Sequence, residues 1–356
     1  MSLKRVFAVA LLCTAALTIV PSFARIQGAN EPLEIAVSFA VVNQNRSSVP
    51  CPADGKSYTV RGYLVLPAGE PPDAVTLYLH GGMNAQSWHF KAVPGYDYIT
   101  EMARLGHASV FIDQLGYGTS DIPDGRDLCL GSLADIAVQI GDALRSGDYS
   151  GEAVHRFDRV ALAGHSGGGA TAHTAAFSFP DAFDALILAG YTDIAGPQTS
   201  LTGVRTQSTA LGAVGRAAAV RCLTPEPKYP GGPGGYAAGF SRQELAIVYP
   251  NAEPAVLDAY AELGELDACG GLQSAGTAVV VGLALSSASI TSPVLIVLGE
   301  HDVFSATDGE AMRAQLLSSD DVSLEVIAGA GHGPWLERTA AAARAVMHGW
   351  LAFRGF

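Results

Sequence analysis

Gly164-His165-Ser166-Gly167-Gly168 is the stretch on which the reading of this chain turns. An apolar run, Val160 to Ala163, leads into it, and a small-residue run, Gly169 to Ala176, leads out. The order is strand, sharp turn, helix, which is the context a G-x-S-x-G turn needs to present a nucleophile. Such a turn forces its serine into a strained backbone conformation at the tip of a strand. Only small neighbours fit there, and Gly164 and Gly168 supply them. Ser166 Oγ is then held clear of the sheet, beside the first N–H groups of a helix. Among those groups, the N–H of Gly167 can stabilise a developing oxyanion.

A serine hydroxyl needs a base, and the base needs an orienting acid. His332 is the candidate base. It lies in Gly329-Ala330-Gly331-His332-Gly333-Pro334, just after the last apolar strand, and small residues on both sides free the loop to project the imidazole. Asp302 is the candidate acid, in Gly299-Glu300-His301-Asp302 directly past the strand Val294 to Leu298; its rivals are Glu300 and Asp193. Functional residues of parallel sheets cluster beyond the carboxyl ends of strands. His80-Gly81-Gly82-Met83 also follows a strand end. Its glycines let backbone N–H groups turn toward a bound carbonyl, so Gly82 or Met83 would pair with Gly167 as oxyanion donors. His80 itself reads as structural. Trp88, Phe90 and Tyr191 sit near strand ends, as candidate substrate-binding side chains or as core.

The rest of the chain alternates strand and helix. Strands are expected over Leu33–Val42 and Tyr58–Leu66, as a hairpin, then over Ala74–Leu79, Ala108–Ile112, Val160–Ala163, Ala185–Ala189, Val294–Leu298 and Ser323–Ile327. Helices are expected over Tyr96–Leu105, Ser132–Arg145 with Ser132 as cap, Gly167–Phe179, Ala306–Leu317 and Thr339–Phe353. Such alternation specifies a mostly parallel sheet covered on both faces. Between Gly190 and Ser292 the pattern changes to a Gly/Pro-rich segment flanked by Ala-rich stretches of helical spacing. That is too long for a simple crossover and reads as an inserted, largely helical lid over 191–292, between core segments 25–190 and 293–356.

These motifs, in this order, resemble the α/β-hydrolase superfamily over roughly residues 33–190 and 293–353. The resemblance rests on the His-Gly-Gly turn, the turn from Asp113 to Ser120 (usually structural), the Gly164–Gly168 turn, and Gly299–Asp302 with His332. It implies a doubly wound, mostly parallel, eight-stranded sheet, a Ser166–His332–Asp302 triad, no metal and no organic cofactor. A serine at 166 disfavours the dehalogenase and epoxide-hydrolase branches, which carry aspartate there. The proline common shortly after His-Gly in capped members is absent. The expected activity is hydrolysis of a carboxylic ester or lactone through an acyl-enzyme. Amide or carbon–carbon bond hydrolysis, or a non-catalytic binding role, are the alternatives. The expected partner is a small, ester-like molecule.

Residues 1–24 have the form of a secretory signal: Lys4 and Arg5, an apolar run from Val6 to Val20, and the small-x-small site Ser22-Phe23-Ala24. Removing Lys4 and Arg5 takes the formal net charge from −13 to −15. An exported acidic chain is a poor partner for nucleic acid. Thr277 to Leu285, the most apolar later stretch, is too short to span a membrane, so no stable membrane anchor is expected. Export favours a secreted or periplasmic location and an oxidising environment for Cys51, Cys129, Cys222 and Cys269. Four cysteines allow three pairings. In the fold that the chain resembles, the second strand is antiparallel to the strand at Ala108–Ile112. That brings Cys51 near Cys129 and leaves Cys222 to staple Cys269 within the lid.

Overall fold

The computed structural model describes residues 31–192, 220–304 and 309–356; the signal segment, the rival acid Asp193 and the first residues of the helix expected from Ala306 lie outside them. A nine-stranded sheet runs through the molecule in the order β11 (Val322–Ile327), β10 (Val294–Gly299), β7 (Ala185–Ala189), β6 (Arg159–His165), β3 (Ala74–Leu79), β4 (Ala108–Asp113), β2 (Ser57–Leu66), β1 (Leu33–Val42) and β5 (Ser150–Gly151). Its parallel part consists of β3 (Ala74–Leu79), β4 (Ala108–Asp113), β6 (Arg159–His165), β7 (Ala185–Ala189), β10 (Val294–Gly299) and β11 (Val322–Ile327). All residues of β3, β4, β7 and β10 are buried, as continuous apolar runs covered on both faces must be.

The hairpin of β1 (Leu33–Val42) and β2 (Ser57–Leu66) joins antiparallel to β4, as the resemblance implied. β1 alternates between buried and solvent-facing residues over much of its length, the signature of a strand with one wet face. Eight strands were expected, and the ninth, β5, is the two-residue piece Ser150–Gly151 paired with Val37 and Ser38. A piece that short has no periodicity to detect.

Helices α2 (Leu130–Ser146), α3 (Gly167–Ser178) and α6 (Cys269–Ser289) pack together, while α1 (Tyr98–Arg104) packs with α8 (Ala340–Phe353). Two apolar clusters separate accordingly. Val75, Leu77 and Leu79 of β3 pack with Ile136 and Ile140 of α2; Tyr78 packs with Ile99 of α1 and Met347 of α8. α2 starts two residues before the expected Ser132. Cys129 is its N-cap, and Ser132 instead completes a reciprocal cap, donating its N–H to Cys129 Sγ and accepting from the Cys129 N–H.

Between β7 and β10, strand β8 (Tyr236–Ala237) pairs antiparallel with β9 (Asp267–Ala268), and α4 (Arg242–Val248) and α5 (Pro254–Glu262) lie between them in sequence. The apolar stretch Thr277–Leu285 is the middle of the 21-residue α6. Among the described residues no single helix is long and apolar enough to cross a membrane; the bent pair Cys269–Ala275 with Val280–Ser286 meets the test by length and composition alone. Both expected disulfides are present, Cys51–Cys129 and Cys222–Cys269. The first ties the β1–β2 loop to the cap of α2. The second ties the chain near 222 to the start of α6.

Candidate active site

Ser166 sits between the end of β6 and the first turn of α3 with φ 52° and ψ −114°. Among the described residues only Met83 shares a positive φ without being glycine, and both line one cavity. The neighbouring glycines are required by contact. A methyl group on Gly164 would lie 2.2 Å from the carbonyl oxygen of Gly168, and one on Gly168 would lie 2.3 Å from that of His80. Ser166 is also the N-cap of α3, yet its side chain makes no capping bond. The hydroxyl is therefore not consumed by the helix that positions it.

His332 lines the same cavity, on the loop after β11. Its Nδ1 lies 3.0 and 3.1 Å from the two carboxyl oxygens of Asp302. Both groups are almost wholly buried. Asp302 is fixed in turn, its Oδ1 accepting the N–H of Phe304, whose ring packs edge-on against His332. The rival acid Glu300 is more than half exposed and accepts the N–H of Gly329 instead. The structure thus brings Asp302 to His332, and both His332 and Ser166 to one cavity.

Two buried side chains hold the His332 loop, and neither was among the expected site residues. Glu337 accepts the Gly331 N–H at 2.9 Å with each oxygen, and the Asn251 N–H at 3.2 Å. Burial pushes its carboxyl up to about 7 against the opposing effect of those N–H donors. His165 donates from Nε2 to the His332 carbonyl oxygen, while its own buried Nδ1 meets no partner among the described residues. Burial, with the charge of a protonated His332 as a smaller effect, holds His165 well below the usual histidine range. It is a neutral strut. The only sequence signal for Glu337 was an acid five residues past His332 in an apolar context.

Of the two expected partners of the Gly167 N–H, Met83 is occupied: its N–H donates to Asp267 Oδ1 at 2.6 Å. Gly82 remains, and its nitrogen lies 3.6 Å from the position that a side chain on Gly167 would take. His80 is structural as read, Nδ1 donating to the Gly81 carbonyl and Nε2 accepting from the Gln114 N–H. The Asp113–Ser120 turn is structural too, with Asp113 Oδ2 accepting from the N–H and hydroxyl of Thr119.

The aromatic expectations are corrected. Trp88 has no exposure, stacks on Trp335 at 3.9 Å and donates to the Leu79 carbonyl oxygen; it is core and does not line the cavity. Tyr191 is likewise absent from the lining and packs against His173 of α3. Phe90 is buried against Tyr260. Position near a strand end could not distinguish these from Phe240, Tyr249 and Tyr260, which do line the cavity. Among the described residues no cluster of three His, Cys, Asp or Glu side chains is arranged to hold a metal ion.

A sequence model of the "Alpha/beta hydrolase family" matches residues 77–345. No curated protein matches the chain. Among solved structures, a thermostable carboxyl esterase from Bacillus coagulans is similar with a TM-score of 0.59 at 14% identity, covering 88% of this chain and 98% of that one. The esterase EaEST from Exiguobacterium antarcticum gives 0.57 at 17% identity over 86% and 98%. A monoacylglycerol lipase from Paleococcus ferrophilus gives 0.55 at 18% identity over 80% and 95%. At these identities the likeness is one of fold.

Proposed function

The chain belongs to the α/β-hydrolase family, and on that premise we propose that it hydrolyses a carboxylic ester or lactone through an acyl-enzyme formed on Ser166. The observation that carries this reading is the Asp302–His332 pair, held at 3.0 Å against the cavity that Ser166 enters in a strained conformation. His332 Nε2 takes the Ser166 proton as Oγ attacks the carbonyl carbon. The oxyanion accepts hydrogen bonds from the N–H groups of Gly82 and Gly167. Collapse breaks the ester bond, and His332 returns the proton to the leaving alcohol. Water, deprotonated by His332, then attacks the acyl carbon, and His332 passes that proton to Ser166 Oγ as the acyl bond breaks and the acid leaves. Asp302 keeps the imidazole oriented and stabilises its charged form.

Residues 191–292 form the cap of this site in our reading. Phe240, Tyr249, Tyr260, Asp267 and Leu272, all from that stretch, contribute to the cavity wall. The pattern of residues 1–24 together with two disulfides supports export to an oxidising compartment. Labelling with a neutral fluorophosphonate, followed by a panel of chromogenic esters and matched anilides, tests the activity. Labelling of Ser166 with turnover of esters well above anilides is expected. No labelling, or anilides cleaved as fast as esters, would overturn it.

A further inference from the structure

The cavity beside Ser166 is walled mostly by apolar groups such as Met83, Leu130, Leu133, Phe240 and Ala275. One carboxyl group interrupts them. Asp267 of β9 is 8% exposed and lines the cavity. Its Oδ1 accepts from the Met83 N–H at 2.6 Å and from the Tyr117 hydroxyl at 3.1 Å. Among the described residues no donor reaches Oδ2, and Asp267 has no ion-pair partner. Lys228, the cation of this corner, is directed elsewhere. Its Nζ bonds the Leu266 carbonyl oxygen and Glu265 and lies over the Tyr117 ring.

The position of that oxygen is specific. A methyl group built on Gly82 would lie 3.0 Å from Oδ2 and 3.1 Å from Oδ1. The unfilled acceptor therefore stands beside the backbone N–H assigned to the oxyanion. A carboxyl group in an apolar wall is costly unless every oxygen finds a donor. Burial raises this one to about 6, against the opposing effect of the Met83 N–H and the Tyr117 hydroxyl.

We propose that Asp267 is a specificity residue, whose Oδ2 accepts a hydrogen bond from a hydroxyl or amino group carried by the substrate next to its scissile ester. The preferred substrates are then esters or lactones with a donor on the acyl carbon next to the carbonyl or on the second carbon of the alcohol, and a carboxylate at that place is rejected by like charge. This rests on the reading of Ser166 as nucleophile.

The test compares kcat/KM at pH 8 for ethyl 2-hydroxypropanoate against ethyl propanoate, and for 2-hydroxyethyl propanoate against propyl propanoate, with monoethyl malonate as the anionic probe. A preference of at least about ten-fold for the hydroxyl-bearing ester in one of the two pairs is expected, with monoethyl malonate the poorest substrate. In Asp267→Asn the amide NH₂ replaces the acceptor, so the preference collapses toward one and monoethyl malonate gains. Ratios within about three-fold in both pairs of the wild type would overturn the proposal, and that result needs no variant to fold. So would an unchanged ratio in Asp267→Asn that still labels with fluorophosphonate. Failure of the wild type to label or to cleave any ester would instead sink the reading of Ser166.

Discussion

His165 Nε2 lies 3.1 Å from the backbone carbonyl oxygen of His332 and donates to it, so the residue before the candidate nucleophile braces the loop of the candidate base. His165→Leu is expected to lower kcat by roughly 10–100-fold with little change in KM, because a base displaced by a fraction of an ångström loses alignment. Glutamine can still donate to that carbonyl, and His165→Gln should recover part of the loss. Steady-state kinetics beside thermal melts check this. A loss that tracks melting temperature in both variants would mark His165 as a packing residue only.

Ser166→Ala should abolish fluorophosphonate labelling and lower turnover by on the order of 10⁴-fold or more while the chain still folds. Asp302→Asn should cost on the order of 10⁴-fold, since the imidazole loses the acceptor that orients it. Glu300→Gln, on the exposed side of the same loop, should stay close to wild type. A nearly active Asp302→Asn would pass the role to another acid, with Asp193 next in line.

Glu337 gives a pH dependence of stability. Its carboxyl lies at about 7 in the folded chain against an ordinary value of 4.5. The folded state therefore holds the proton more tightly than the unfolded one. That contribution is fully present below pH 4.5 and is lost as pH rises through 7. Its full size is on the order of 3 kcal/mol. Urea melts of wild type and Glu337→Gln at pH 4.5 and pH 8 should show the variant gaining on the wild type by that order at the higher pH. Parallel curves would mean that Glu337 does not titrate in this window.

The bridge Cys222–Cys269 spans a sequence separation of 47 residues and Cys51–Cys129 one of 78. In the chain-entropy model each contributes about 4 kcal/mol as an upper figure. Non-reduced peptide mapping should recover both pairs and no cross-pair. Cys222→Ser with Cys269→Ser should lower the melting temperature by several degrees; a Cys51–Cys222 or Cys129–Cys269 peptide would contradict the pairing.

The strands at the centre of the sheet were legible because burial forces them to be continuous apolar runs, as at Ala74–Leu79 and Ala185–Ala189, and β1 because its alternation marks one wet face. The candidate triad was legible because Ser166, Asp302 and His332 each stand within a few residues of a strand end. What the sequence hid depends on partners distant in the chain. The Met83 N–H looked free until Asp267, from a two-residue strand, was seen to hold it. Trp88, on the loop after β3, turns into the core, whereas Tyr260 of α5 lines the cavity, and no local pattern records that difference. The cap of α2 was misplaced because a disulfide-bonded cysteine, and not the nearby serine, accepts the helical N–H.

Ser166, Asp302 and His332 are all mounted on turns leaving strands of the main sheet, whereas Asp267 arrives on a separate segment pinned by the bridge at Cys269, two residues away. The candidate triad and the residue proposed to select substrate thus have different mechanical supports. A thiol reductant that opens only the Cys222–Cys269 bridge would leave the candidate triad seated while releasing the anchor of the segment that carries Asp267. The same separation makes the segment around Asp267 the natural place to exchange sequence when a new substrate preference is wanted. Such a graft would have to keep one junction intact, the contact of residue 267 with the Met83 N–H and the Tyr117 hydroxyl.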